Sequence, residues 1–539
     1  MKHFAFIALG LLFAVNPEGL QAQNSNLLKK GNLNGSFENY SQYYLKDTVI
    51  KASVPQGNFG TNSFFKLDYN YDRFTAGIQF ETYLPPVQGY FPEQQVAFTT
   101  GSKLVNKYFK YSGDQFSVQI GDFYEQYGSG MILRAYENRQ IGINNAIQGA
   151  KVEVAPASFA KLKFLYGNAR ELFEYSDAIL RGADAEIDIN KLFKFSEEKY
   201  SLSIGASYVG KYQEYTGPDD FPTTVNSHSL RFDLSGSAFT LDGEYMEKGI
   251  DPNYFNFFDR KNKGRGALIN AGYSKGNFGS TVSLRSYFNI FYANNRDQQS
   301  PNLSPVNFLP ALTKQHDNLT SNIYVYGAQV GGETGFQTDI YYTFPSGTAL
   351  GGKYGTKLAF NYSEYSNLDG TGKLFSVDPT DGKFYSDANF EIKKKWSKKL
   401  ETGLFLQHMF FNDTVSTAVK DDVYATIVAA NVLYKWAPKK SIRVKVEHLY
   451  AKTDFKNWVS GLVEFSFSSP YQFFVSDLYN YGDSKIHYYN MGFSLTKKAS
   501  RFALSYGRQR AGLFCAGGIC RILPAATGFT ASLTTSFAN

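Results

Sequence analysis

Six histidines are all that this 539-residue chain offers for acid–base chemistry near neutral pH. His3 lies in the first residues, and His228, His316, His408, His448 and His487 are widely dispersed. No Ser–His–acid spacing and no metal-ligand cluster is present in the sequence. His316, beside Lys314 and Gln315, is the one position worth testing for catalysis. The expectation is therefore a protein that is not an enzyme and needs no cofactor and no metal. The only cysteines are Cys515 and Cys520. A disulfide across Ala516-Gly517-Gly518-Ile519 is expected, because oxidising compartments favour one. A redox or metal pair is the weaker alternative, since no His cluster accompanies it.

The remaining charged chemistry is organised by strands. Between residues 30 and 538, about 24 segments of roughly 9–13 residues alternate in polarity. In 182–190, Ala183, Ala185, Ile187 and Ile189 oppose Gly182, Asp184, Glu186, Asp188 and Asn190. Arg231 and Asp233 alternate with Leu230, Phe232 and Leu234, and Asp242 and Glu244 with Leu241, Gly243 and Tyr245. Arg443, Lys445 and Glu447 alternate with Ile442, Val444 and Val446. An Arg or Lys at a bilayer midplane costs roughly 2–4 kcal/mol, so such a face cannot meet lipid and must line a wet or internally paired lumen. A soluble sandwich would reverse the arrangement, and the alternation alone does not separate the two.

The joins separate them. Tight turns at Tyr71-Asp72-Arg73, Ser112-Gly113-Asp114, Pro156-Ala157-Ser158, Ser235-Gly236-Ser237, Ser274-Lys275-Gly276-Asn277 and Ala437-Pro438-Lys439-Lys440 alternate with long joins. The long ones include 46–60, 85–100, 126–145, 211–226, 248–263, 291–335, 364–384 and 509–523. Outer-membrane barrels show this asymmetry of short periplasmic turns and long extracellular loops. The fold class is all-β: a single antiparallel transmembrane barrel of about 24 strands (22–26), its lumen partly filled by inserted loops. At about 4.8 Å per strand and a tilt near 40°, its diameter is roughly 45–50 Å. An interior that wide needs a filler. The first strand pattern (Leu33, Gly35, Phe37) starts soon after the N-terminal segment, so the filler is expected from loops, and energy-coupled uptake with a separate plug domain is disfavoured.

Composition agrees. Hydrophobic residues make up 43% and mean hydropathy is −0.33, too polar for a helical membrane protein. Forty Tyr and 48 Phe suit aromatic girdles at two lipid interfaces. The net charge of +7 is modest and scattered, which excludes nucleic acid as a partner. Residues 1–22 read as a signal peptide: Lys2 and His3, an apolar core Phe4 to Val15, and Leu20-Gln21-Ala22 before the cleavage site. The barrel then spans 23–539, and the expected location is the cell outer membrane. The last strand carries Phe529, Ala531, Leu533, Thr535 and Phe537 on one face. Phe537 resembles the signal read by the barrel-assembly machinery, and an ordinary terminal strand with a chance Phe reads the same way.

Two joins are too apolar to stand free in water. The first, Tyr127 to Arg139, carries Arg134, Glu137 and Arg139 among glycines that permit a sharp inward fold. It is either a constriction with both Arg facing the lumen or a loop packed on the wall with its Arg paired to carboxylates. The second, 291–335, contains Phe308 to His316, including Lys314 and His316. It reads as a lid or plug with its own short strand pair, or as an outward loop that touches a partner. On the wall, Lys161 and Lys163 precede Asp184 and Glu186, so cross-strand pairing is expected to brace the lumen without forming a selective charge ring.

Several stretches carry a family resemblance. They are Gly121-Asp122-Phe123-Tyr124-Glu125-Gln126-Tyr127-Gly128-Ser129-Gly130, Arg134-Ala135-Tyr136-Glu137, Leu309 to His316, Gly351-Gly352-Lys353-Tyr354-Gly355-Thr356, and Cys515 to Arg521 with Pro524. Together they resemble a family of unassigned function from the Bacteroidota, whose members look like single large outer-membrane barrels. The resemblance implies location and fold, and no reaction. The strand–loop–strand at 117–154 is more loosely similar to alginate-exporter-type barrels, in which Arg-bearing loops line a polysaccharide path.

Three functions compete: a porin-like or gated channel for solutes or polymer; a non-conducting subunit of an outer-membrane assembly or secretion complex; and, least favoured, an outer-membrane enzyme. Expected partners are outer-membrane lipid, the assembly machinery during biogenesis and other outer-membrane proteins.

Overall fold

The computed structural model describes residues 31–538 apart from 92–95, 97–98, 197–198, 216–220, 252–260, 297–304, 310–312, 381, 413–421, 469 and 517–518. The expected signal peptide lies outside the described residues. Twenty-four antiparallel strands form one sheet in a plain meander, each pairing with its neighbours in the chain. The sheet closes where the first strand, Asn32–Leu45, pairs with the last, Ala526–Ala538, from Asn34 opposite Ala538 to Leu45 opposite Thr527. Closure leaves no open edge, which is the condition for a sheet to survive in hydrocarbon. At this seam the Phe537 ring covers Gly35, where an added Cβ would fall 2.2 Å from the ring. The last strand therefore packs across the seam on a residue without a side chain.

The strand ends keep the long–short asymmetry, with three exceptions, two at the short-turn end and one at the other. One short-end join carries an α-helix, Ile189–Phe193, whose N-cap Asp188 accepts from the Lys191 backbone N–H. That helix ends the expected 182–190 strand at Asp188, because the Asp188 carboxylate satisfies a helix-start amide more readily than it extends a strand. The other short-end exception is the 345–355 join between Gly332–Phe344 and Thr356–Ser366. At the opposite end one join shrinks to Leu172 and Phe173.

Pleating sorts the side chains. Phe164, Ile204, Leu230, Ile269, Leu404 and Val446 are exposed on the outward face. Exposed Phe74, Phe116, Tyr200, Tyr273, Phe278 and Tyr471 mark the short-turn edge, and Tyr43, Tyr424 and Tyr450 the other. An apolar band between two aromatic girdles is the exterior of a membrane-spanning barrel. Lys107 and Arg181 share register positions with outward Ile78 and Tyr166, and their long stems can carry the charge toward water. Among the described residues no helix is long and apolar enough to cross a membrane.

The inward rows change character along each strand. From the short-turn end, Lys161 is exposed, the Lys163 side chain is 22% exposed, Leu165 6% and Ala169 1%. On Lys440–Ala451, side-chain exposure runs from 34% at Arg443 to 3% at Lys445 and 2% at Glu447, and Leu449 is fully buried. The short-turn half of the lumen is thus wet and charged, and the other half is dry and filled.

Leu230, 68% exposed at the middle of an outward row, tests this assignment. Leu230→Arg is expected to destabilise the barrel by about 2–4 kcal/mol. Lys161→Met, on the wet inward row, is expected to change stability little. Urea unfolding in lipid vesicles measures both; equal effects would reverse the inside–outside assignment.

Candidate functional site: a plug braced by buried charge

The filler is made by the two insertions. The first lies between Phe116–Phe123 and Ile147–Ala157. It folds into two small hairpins, Gln126–Tyr127 with Leu133–Arg134 and Glu137–Asn138 with Ile143–Asn144. The second runs from 289 to 331. Its described part holds an isolated bridge between Ala293 and Pro305 and a 3-10 turn, Thr320–Asn322, in place of the expected strand pair. Its backbone groups are taken up by the first insertion and the wall. The Arg134 N–H donates to Val306 O (2.8 Å) and the Phe308 N–H to Gly130 O (3.1 Å). Asn145 Nδ2 donates to Arg134 O (3.0 Å) and Pro305 O (2.7 Å). Asn307 Nδ2 donates to Met131 O (2.6 Å), and the Tyr292 hydroxyl to Ile132 O (2.6 Å). Tyr127, Met131, Ile132 and Leu133 join Tyr292, Val306 and Leu309 in one apolar core against Leu165, Leu180, Val209 and Met246 of the wall.

Arg134 and Arg139, expected together, take separate places. The Arg134 guanidinium stacks 4.7 Å from the Tyr136 ring and 5.3 Å from the Phe308 ring, at the junction of the two insertions. Arg139 donates to Glu137 Oε1 (2.8 Å) and pairs with Glu38 of the first strand (2.9 Å). Glu137 also accepts from Gln79 (2.8 Å). Next along this network is Glu81, which accepts from both terminal nitrogens of Arg170 (3.0 and 2.5 Å), from the Tyr83 hydroxyl (2.9 Å) and from Asn144 (3.1 Å). A cavity of about 20 Å³ lies among Glu81, Glu137, Arg139, Asn144 and Arg170, room for about one water. The first insertion is thus tied to the strands Asn32–Leu45 and Phe74–Tyr83, and Arg170 of Ala160–Glu171 braces the second of these through Glu81.

The second insertion is clamped to the opposite wall. His316 Nε2 lies 2.7 Å from Asp387 Oδ2, its ring against Phe405. Lys314 reaches Asn389 (3.4 Å) and Glu391 (3.9 Å). Glu447 accepts from the Thr320 N–H and hydroxyl, both at 2.9 Å. Asp317 faces down into the wet half, its side chain 77% exposed, and pairs with Lys445 (3.2 Å) and Arg443 (3.3 Å). Burial raises the Asp317 pKa, but these cations outweigh it and hold the carboxyl below its usual range. Arg285, Glu333 and Tyr326 form a fully buried cluster where the insertion rejoins the wall.

The remaining wall residues brace the plug and one another. Glu244 accepts from the Ser129 N–H (2.6 Å). Lys163 reaches Glu125 of the first insertion (3.1 Å), and Asp184 pairs with Arg231 (2.7 Å). The register sets Lys163 opposite Asp184 and Lys161 opposite Glu186, but Glu125 and Arg231 supply the short contacts. Asp233 faces Asp242 directly across the ladder, and Asn270 donates to Asp242 (2.7 Å). Arg443 also pairs with Glu464 (3.3 Å). Cys515 and Cys520 are opposed in a separate two-stranded hairpin, and their side chains lie outside the described residues. Among the described residues no group of three or more His, Cys, Asp or Glu could hold a metal ion.

A family model described as a family of unknown function (DUF6029) matches residues 1–537. The chain belongs to that family. No curated protein matches it. Among solved structures it is similar to the translocation pore of the P pilus usher PapC (TM-score 0.44, 9% identity, 94% of this chain and 99% of that one). It is also similar to the siderophore receptor PirA from Pseudomonas aeruginosa (TM-score 0.40, 9% identity, 94% and 80%). A third is Pseudomonas aeruginosa OpdK with vanillate (TM-score 0.36, 6% identity, 95% and 99%).

Sequence reasoning missed Glu38, Glu81, Glu125, Arg170, Arg285 and Glu333. Glu81 and Arg170 sit on inward rows at the filled end, beside Tyr83 and Ala169. A lone charge on an inward row that is otherwise turning apolar was the signal available. Arg170 and Glu81 side chains are 4% and 2% exposed, so neither tolerates loss of the other. Arg170→Met or Glu81→Gln alone is expected to cost about 3–5 kcal/mol. The double variant Glu81→Leu with Arg170→Met is expected to recover most of it. Thermal unfolding in detergent reads all three; additive losses would show that the two side chains act separately.

Proposed function

We propose that this chain is an outer-membrane barrel serving as a plugged conduit, and that displacement of the plug opens its lumen to solute or polymer. The observation that carries the reading is the division of the interior. A wet, charged vestibule opens at the short-turn end, and an insertion-built plug fills the long-loop end. A permanently solid barrel has no use for exposed Asp317, Glu186 and Lys393 inside it. Mixed charge in the vestibule favours weak selectivity between anions and cations. In this reading the N-terminal segment directs export, short turns face the periplasm, Phe537 serves assembly, and no reaction is catalysed.

The density of plug–wall bonding favours a second reading: a non-conducting subunit of an outer-membrane assembly, whose plug is a fixed part of the wall. Planar-bilayer recording separates the two. The wild type is expected to be silent at rest, and removal of 313–327 to produce steady current. Silence of that variant, with the barrel intact by heat-modifiable gel mobility, would reject the conduit and leave the assembly subunit.

The facing register of Cys515 and Cys520 supports a disulfide in the hairpin Gly512–Ala516 and Ile519–Leu523. Peptide mapping of protein purified from membranes without reductant is expected to recover the two cysteines as one cross-linked fragment. Free alkylatable thiols would refute it.

A further inference from the structure

The rim of short turns is unevenly charged. Three neighbouring joins, 345–355, 396–399 and 438–439, connect six consecutive wall strands from Gly332–Phe344 to Lys440–Ala451. Residues 345–356, 394–400 and 435–442 hold eight lysines and no Asp or Glu. Seven of the eight are exposed, and among the described residues none is in an ion pair. Across the rim the cations are matched instead: Arg73 pairs with Asp114 (3.0 Å) and Lys191 with Asp188 (2.8 Å).

The unmatched lysines cap lipid-facing rows. Lys394 follows the outward Phe390 and Ile392, and Lys440 precedes the outward Ile442 and Val444. The Trp396 ring, 55% exposed, lies on the same outer face. Its Nε1 donates to the Thr402 hydroxyl (2.8 Å), and Thr402 is directly opposite Lys394 in the ladder. Lys394 Nζ stands 4.7 Å from that ring. The Tyr354 ring has two ammoniums near it, Lys395 at 5.5 Å and Lys353 at 5.8 Å, which joins the 345–355 segment to the next turn. An indole beside a Lys at the end of an apolar row marks the level where hydrocarbon gives way to headgroups.

We propose that this side of the rim binds the phosphate headgroups of anionic phospholipid in the leaflet that meets the short turns. Like charges this crowded repel, and no carboxylate of the chain relieves them, so an external anion is favoured. A membrane surface supplies phosphates in the plane where Lys394, Trp396 and Lys440 end, and clustered Lys beside a membrane-spanning segment attract such lipid. A glycan or an acidic protein in the aqueous compartment would meet the turn tips alone, and would leave the Trp396 ring and the Lys394 stem without a role. Three of these strands carry Asp387, Gln407 and Glu447 on their inner faces, the partners of the second insertion. Anionic lipid is thereby gathered against that sector of the wall and not around the whole barrel. The inference rests on the membrane-spanning reading and is independent of conduction.

The full chain, reconstituted in vesicles of equal parts phosphatidylglycerol and phosphatidylethanolamine and gently extracted, tests it by native mass spectrometry of the bound lipid. The wild type is expected to retain phosphatidylglycerol over phosphatidylethanolamine by at least about fivefold, the ratio that one interfacial Lys contributes. Lys394→Gln, Lys398→Gln, Lys399→Gln and Lys440→Gln in one chain are expected to remove the preference. Arg73→Gln, Lys191→Gln, Lys194→Gln and Lys199→Gln, across the rim, are expected to keep it. Should the first variant fail to fold by heat-modifiable gel mobility, Lys398→Gln with Lys399→Gln, both on an exposed turn, is expected to lower it. Equal retention of the two lipids by the wild type, a preference kept by the rim variants, or one lost equally in the control would each overturn the proposal. So would wild-type sedimentation with isolated cell-wall sacculi that the rim variants lose while lipid retention is unchanged. Failure to insert into vesicles at all would sink the membrane reading as well, whereas insertion without preference sinks this inference alone.

Discussion

In hydrocarbon every backbone N–H and C=O must be paired within the protein. A sheet satisfies this only by closing, and here closure depends on the seam between the first and last strands. Twenty-four strands closed this way enclose more space than wall side chains can reach across. The chain answers by diverting two long-loop joins inward. The backbone of a diverted join then faces the same demand as the wall, because buried carbonyls and amides need partners. That is why the insertions bond to one another through Arg134, Val306, Gly130 and Phe308, and to side chains such as Asn145 and Asn307. Closure, width and plug follow from one constraint.

Much of this was legible in the sequence. Alternation and one-sided loop length gave strand number and inside–outside sense, because pleating and loop length follow from local geometry. The apolar character of 127–139 and 308–316 marked the diverted joins, since such residues do not stand in water. Pairing was not legible. Lys163 faces Asp184 in register, yet its ammonium goes to Glu125, which belongs to a join whose path no period describes. Arg134 and Arg139, five residues apart, part company because hairpin turns separate them, one reaching aromatic rings and the other Glu38 across the lumen. Local patterns specify faces, whereas non-local partners depend on where the insertions land.

The charges inside the barrel do two different jobs, distinguished by depth. In the wet half Glu186, Lys393 and Arg443 are screened, and each pair there contributes little to stability. At the filled end Arg170 with Glu81, and Arg285 with Glu333, are nearly or wholly dry. Such pairs gain little over an apolar replacement but are costly to break singly. Both pairs join wall strands, and the insertions dock on them through Asn144 at Glu81 and Tyr326 at Arg285 and Glu333.

The plug is not uniformly bound. Its apolar contacts fall into two separate clusters, one joining the first insertion to residues 290–309 and the near wall, the other joining Ile323, Tyr324 and Tyr326 to the wall around Phe384 to Trp458. The first lobe carries the internal backbone bonding and the ties of Asn144 to Glu81 and of Arg139 to Glu38. The second is held to its wall chiefly by side chains: His316 to Asp387, Thr320 to Glu447, Ser321 to Gln407. Release of that lobe would let the vestibule wet Asp387, Gln407 and Glu447, because Asp317 already stands in water beneath it, and would withdraw Tyr326 from the buried Arg285 and Glu333, which stay paired with each other. Release of the first lobe would instead expose Arg134, Tyr292 and Asn307 together with their backbone bonds. Movement of 313–327 alone is therefore the less costly route to a continuous lumen, and the segment that breaks or keeps the seal is the second lobe.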